Sequence, residues 1–103
     1  AGGAGAEDRH HRHRAVPPLA QPSRVPVEIR WQGARGATGR PQFIRLFDVT
    51  GRMVREFALG ADSAGVVNWD GRDRVGLRVP AGLYFSRLAS GSVHAETRIV
   101  LLP

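Results

Sequence analysis

The sequence predicts an all-β fold, an antiparallel sandwich of about seven short strands, on three observations. Apolar residues recur at a spacing of two rather than at helical spacing, and Asp, Gly and Pro turn signals return roughly every 8 to 12 residues. No cysteine is present to staple a smaller scaffold, so packing alone must hold the fold. At 103 residues there is room for one domain, and a domain of this size buries only about 60% of the surface of its unfolded chain. The core must therefore be thin.

Residues 1–24 combine Ala/Gly repeats, a His/Arg cluster and Pro17, Pro18 and Pro22 without an apolar face. Such a segment buries too little to offset its ordering entropy, so a disordered, flexible linker is expected over 1–24 and the folded domain over 25–103. Val25, Val27, Ile29 and Trp31 alternate with Pro26, Glu28, Arg30 and Gln32, a half-buried strand with Pro26 marking an edge or a start. Gly33 to Pro41 reads as loop. Its glycines precede neither a Lys-Ser/Thr pair nor a helix, which excludes a phosphate cradle. Gln42 to Asp48 is a second strand with Ile44 and Leu46 on one face and Phe43 and Phe47 on the other. Bulk on both faces places it centrally or against a neighbour.

Asp48-Val49-Thr50-Gly51 is a hairpin turn: the Asp carboxylate accepts backbone N–H bonds and Gly51 supplies a left-handed φ. Arg52 to Ala58 returns as a third strand, where the spacing of three between Val54 and Phe57 predicts a bulge or an end-of-strand twist between them. Val67 and Trp69 share a face of a fourth strand, and Asp70-Gly71 turns the chain. Asp73-Arg74-Val75-Gly76 repeats the Asp-x-x-Gly logic and leads to a short fifth strand, Leu77 to Val79, closed by Pro80-Ala81-Gly82. The sixth strand, Leu83 to Ala89, puts Tyr84 and Leu88 around the small Ser86 on one face and Leu83, Phe85 and Arg87 on the other. Ser90-Gly91-Ser92 connects it to a last strand, Val93 to Leu102, in which Val93, Ala95, Thr97, Ile99 and Leu101 alternate with His94, Glu96 and Arg98. Seven such strands without Cys…Trp…Cys spacing fit an immunoglobulin-like or fibronectin-III-like sandwich, with a small barrel as the competing architecture. No repeat of about 20 to 50 residues is present, which removes solenoids and propellers.

All 15 basic residues are Arg, for a net charge of +6 and an isoelectric point near 11.6. The charge is spread along the chain rather than gathered into a stripe with interleaved aromatics, so nucleic acid is not an expected partner. No apolar run approaches the ~20 residues of a membrane helix, and Ala1 to Ala6 lacks the features of a signal peptide. A start at Ala rather than Met reads as the C-terminal piece of something longer, with export signal and principal activity upstream.

No reactive constellation emerges. Asp70 and Asp73, with Asp48 or Asp62, could be imagined around calcium, but the spacing lacks a closing Glu and Arg72 and Arg74 would neutralise the site. They read as turn formers. His10, His11 and His13 fix no ligand geometry and sit among Arg9, Arg12 and Arg14. His94, on the polar side of the last strand near Glu96, has no serine elbow to serve, so no enzymatic role, cofactor or metal is expected. Tyr84 stands where sandwich folds send a tyrosine hydroxyl to backbone across a corner, and Trp69 reads as a core anchor.

Leu46-Phe47-Asp48, Gly51-Arg52-Met53-Val54, Trp69-Asp70-Gly71-Arg72-Asp73 with Gly76, Gly82-Leu83-Tyr84-Phe85 and the terminal Ile99-Val100-Leu101-Leu102 together resemble the immunoglobulin-like domain of flagellar hook-capping proteins. That module also occurs at the C-terminus of secreted bacterial proteins, and the similarity covers about residues 25–103. The resemblance implies no catalytic residues; the matched positions Asp48, Gly51, Arg52, Val54, Trp69, Asp70, Gly71, Asp73, Gly76, Gly82 and Tyr84 are structural. Hook-capping proteins continue beyond this domain, whereas this sequence stops one residue after the last strand, which disfavours a flagellar cap. Sorting domains of the type IX secretion pathway usually finish near a basic residue, and this chain ends Leu101-Leu102-Pro103. The Gly33 to Pro41 loop resembles an insertion.

The expected role is therefore a C-terminal module of a larger exported bacterial protein, at the cell surface or outside the cell, acting in sorting, surface attachment or spacing. Its partners would be the upstream domain of the same polypeptide and secretion machinery or a cell-surface component. The alternatives are a hook-cap scaffold, or a module whose outer face, with Phe43, Phe47 and Phe85, holds a carbohydrate or protein.

Overall fold

A computed structural model describes residues 16–33 and 41–103, and these form seven strands with no helix. They are β1 (Val16–Leu19), β2 (Val27–Gln32), β3 (Gln42–Phe47), β4 (Met53–Ala58), β5 (Ala64–Trp69), β6 (Gly82–Ser90) and β7 (Val93–Leu101). One sheet has the order β1-β2-β5 and the other β4-β3-β6-β7, with every strand pair antiparallel. This is an immunoglobulin-like sandwich.

Two elements differ from the sequence reading. Val16–Leu19, inside the expected linker, forms β1 by pairing with β2; Pro17 and Pro18 are tolerated because β1 lies at a sheet edge. The remainder of that linker up to residue 15, with its histidines, lies outside the described residues, as does most of the Gly33 to Pro41 loop. Leu77 to Val79 is not a strand: the segment makes a single bridge, Arg72 to Arg78, in a small hairpin. Its backbone pairs instead with the residues just before the turn, Leu77 O accepting from Asp73 N–H and Val79 N–H donating to Gly71 O at 2.8 and 2.9 Å. Pro26 immediately precedes β2, which is the central strand of its sheet.

The inner faces follow strand parity. Val27, Ile29 and Trp31 of β2 and Trp69 of β5 meet Ile44 and Leu46 of β3, Val54 of β4, Tyr84 and Leu88 of β6, and Ile99 and Leu101 of β7. Each fully buried aliphatic side chain contributes about 1.5–3 kcal/mol, which is how so few residues sustain the domain. β3 lies between β4 and β6, which is why its sequence carries bulk on both faces. The β3–β4 register steps from Leu46 opposite Arg55 to Phe47 opposite Met53, so the bulge falls at Val54 itself rather than between Val54 and Phe57. It turns both Val54 and Arg55 toward the interior side.

At the far end, Gln42 is buried on the inward parity of β3. Its Nε2 donates to the carbonyls of Gly60 and Asp62 at 3.1 and 2.7 Å, and its Oε1 accepts from the Ser90 hydroxyl at 2.6 Å. A polar hub thus ties β3, the loop before β5 and the end of β6 together. Ser23 extends the β7 edge: its N–H donates to Val100 O and its carbonyl accepts from Leu102 N–H, at 3.2 and 2.8 Å.

Candidate interaction surfaces

The end of the sandwich carrying loops 48–52 and 70–81 holds all eleven positions of the sequence motif. Two turns there are built alike. Gly51 N–H donates to Asp48 O and Asp48 N–H to Arg52 O, both at 3.0 Å; Gly76 N–H donates to Asp73 O at 3.0 Å and Asp73 N–H to Leu77 O at 2.8 Å. Each aspartate then caps its own turn. Asp48 Oδ1 accepts from the N–H groups of Thr50 and Arg52 and from the Thr50 hydroxyl, at 2.9, 3.1 and 2.6 Å. Asp73 Oδ1 accepts from the N–H groups of Val75 and Leu77, both at 3.0 Å. Both glycines have left-handed φ, 87° and 90°, the form that closes a three-residue hairpin loop. The Thr50 hydroxyl above all holds the Asp48 carboxyl down to about 2; burial opposes it, and the Arg52 guanidinium and the two turn amides add to the lowering.

Between these turns Asp70 Oδ1 accepts from Arg72 N–H at 3.0 Å and from Arg55 Nη1 at 2.7 Å. The Arg72 carbonyl accepts from the Trp69 indole at 3.0 Å and again from Arg55 at 3.1 Å. Burial raises the Asp70 carboxyl, but the Arg55 bond and charge and the Arg72 amide outweigh it, leaving a net lowering. Arg55, on β4, thereby joins the two sheets. Strand parity around Phe57 was the sequence signal that could have placed it inward, and the bulge hid it. Gly71 is buried with φ of 75° beneath Val25. Trp69 meets Tyr84 edge-on, with centroids 5.2 Å apart and planes at 73°. The Tyr84 hydroxyl donates to Pro80 O at 2.5 Å, a tyrosine corner. Burial raises the Tyr84 phenol, the Asp48 charge adds to this, and Arg52 opposes it. Gly82, with φ of 142°, opens β6.

The outer face of the four-stranded sheet is a regular grid. Glu56, Arg45, Arg87 and Glu96 form one row across β4, β3, β6 and β7. Arg45 pairs with Glu56 at 2.6 Å and Arg87 with Glu96 at 3.4 Å. The same guanidinium groups lie over Phe43 and Phe47, 4.9 and 5.6 Å from the ring centroids. Phe43, Phe47 and Phe85 are half-buried. Covered ring faces suit sugar stacking poorly, so this surface does not favour the carbohydrate reading.

His94 is exposed on this face in the row of Ala89. Among the described residues no group of three or more His, Asp and Glu could hold a metal ion. Asp62 contributes its carbonyl to Gln42, and the other three aspartates of the loops are engaged by turn amides or Arg55.

Residues 25–92 match the model of the FlgD Ig-like domain. The chain belongs to that family. Within this FlgD Ig-like domain the matched span takes in β2 to β6 and both Asp-x-x-Gly turns, while β1 and β7 fall outside it. No curated protein matches the chain. Among solved structures it is similar to dimeric latent PorU from Porphyromonas gingivalis, at 17% identity and a TM-score of 0.63 over 85% of this chain and 9% of that one. That likeness is one of fold. The chain thus spans under a tenth of the length of the solved relative. Among the described residues no helix is long and apolar enough to cross a membrane.

Proposed function

We propose that this FlgD Ig-like domain is a non-catalytic module of a larger exported bacterial protein, where it acts in secretion sorting, surface attachment or spacing. The observation that carries the reading is the use of the motif residues: the carboxylates of Asp48, Asp70 and Asp73 are spent on turn amides and on Arg55, and Trp69 and Tyr84 on each other and on backbone. A motif consumed by architecture leaves function to outer surfaces and to the rest of the polypeptide. The solved relative, in which a comparable fold fills a small fraction of a long chain, supports a modular role. Recognition by type IX secretion machinery is the sorting route we favour.

The test is deletion of residues 16–103, which takes β1 with the rest of the sandwich, from the full-length open reading frame in the native host. The parent's activity in lysate should persist while its distribution among cell, surface and medium changes. An unchanged distribution would overturn sorting and attachment, and catalytic turnover by the isolated 103-residue chain would overturn the non-catalytic reading.

A further inference from the structure

We infer that the turn-bearing end of the sandwich docks onto an anionic lipid bilayer through the 72–78 hairpin. This surface-attachment role rests on the exported-module reading above. Two features of the hairpin are costly for a surface that meets only water. Its apolar side chains point outward, with Val75 78% and Leu77 65% exposed, and Val49 on the sister turn is 68% exposed. Arg72 and Arg78 oppose each other in its antiparallel bridge, placing like charges across the strands.

Neither charge is relieved by an acid. Among the described residues Arg72, Arg74 and Arg78 have no carboxylate partner; Arg72 Nη1 donates to the Gly76 carbonyl at 2.9 Å. Of the two carboxylates beside Arg72, Asp73 is engaged by the amides of Val75 and Leu77 and Asp70 by Arg55 and the Arg72 amide. The same bonds hold the turn in place, so the tips need little ordering on contact.

Cation and apolar tip together select the occupant. Guanidinium groups pair with phosphate oxygens of headgroups, and the adjacent Val75 and Leu77 can enter the acyl boundary. A soluble polyanion would use the arginines and leave the apolar tips in water, which is why a bilayer fits better.

Vesicle co-sedimentation of the full 103-residue chain, with phosphatidylcholine alone and with added phosphatidylglycerol, tests this. Because Arg9, Arg12 and Arg14 could also attract lipid, the comparison among variants decides. Wild type should bind the anionic vesicles preferentially and release in salt. The Arg72→Gln/Arg74→Gln/Arg78→Gln variant should bind about a hundredfold more weakly, roughly fivefold for each arginine. The Val75→Ser/Leu77→Ser variant should lose on the order of tenfold, and thermal melts should show both variants folded. Equal binding to neutral and anionic vesicles, or unchanged binding by either variant, would overturn the inference. So would binding of heparin that depends on the arginines but not on Val75 and Leu77 and outcompetes the vesicles. Failure here would leave the deletion result in the native host untouched, so the two readings fall separately.

Discussion

Gly71→Ala isolates a steric demand that no other glycine of the turn-bearing end shares. Gly71 has φ of +75°, and a Cβ built there would stand 2.5 Å from Val25 Cγ1. Left-handed backbone costs an L-residue about 1–2 kcal/mol, and forcing a methyl into occupied space adds about 1–3 kcal/mol. Val25 is β-branched and stiff about χ1, so it yields only by moving its backbone or leaving its rotamer. We expect Gly71→Ala to lose about 3 kcal/mol. Gly51→Ala is the control: its φ is +87°, but nothing lies within 4 Å of the added Cβ. It should lose only the backbone cost, about 1.5 kcal/mol. Urea unfolding followed by the fluorescence of Trp31 and Trp69 reads both as shifts in midpoint at constant m-value. Val25→Ala trims the opposing methyl, so in the double variant the losses should fall short of additivity by about 1 kcal/mol. Equal losses for Gly71→Ala and Gly51→Ala, or full additivity with Val25→Ala, would refute the packing argument.

Two further outcomes follow from the same structure. Asp48 titrates near 2 in the folded chain against an ordinary 3.8. Its contribution is therefore fully present above about pH 4 and lost as pH falls toward 2. Asp48→Asn should flatten the fall in urea midpoint across that window, with Asp70 supplying what slope remains; a curve parallel to wild type would count against the Asp48 turn as the cause. Gln42→Leu removes the donor to the carbonyls of Gly60 and Asp62 and should cost about 2–3 kcal/mol in the same unfolding assay. A loss under about 1 kcal/mol would mean that water replaces the amide.

Local chemistry was legible wherever it decided the outcome by itself. Asp48 with Gly51, and Asp73 with Gly76, close their turns through bonds spanning no more than four residues, so the short-range pattern suffices. Alternation likewise sorted the residues of β2, β3 and β6 onto their two faces, since strand parity needs no partner to be known. The Tyr84 corner is of this kind too, reaching back only four residues to Pro80.

Tertiary structure decided what depends on neighbours distant in sequence. β1 exists because the edge of β2 offers Val16–Leu19 a ladder, an opportunity no property of a Pro-containing segment announces. Leu77 to Val79 has strand-like residues but pairs with Gly71 to Asp73 rather than with a sheet, so it became one arm of a small hairpin. The placement of the bulge at Val54, the reach of Arg55 across to Asp70, and the burial of Gln42 all require the register of β3 against its neighbours. Turn and parity preferences are local energies written in adjacent residues. Which edges stay open, which charges meet and which surfaces face outward are set only when both sheets are in place.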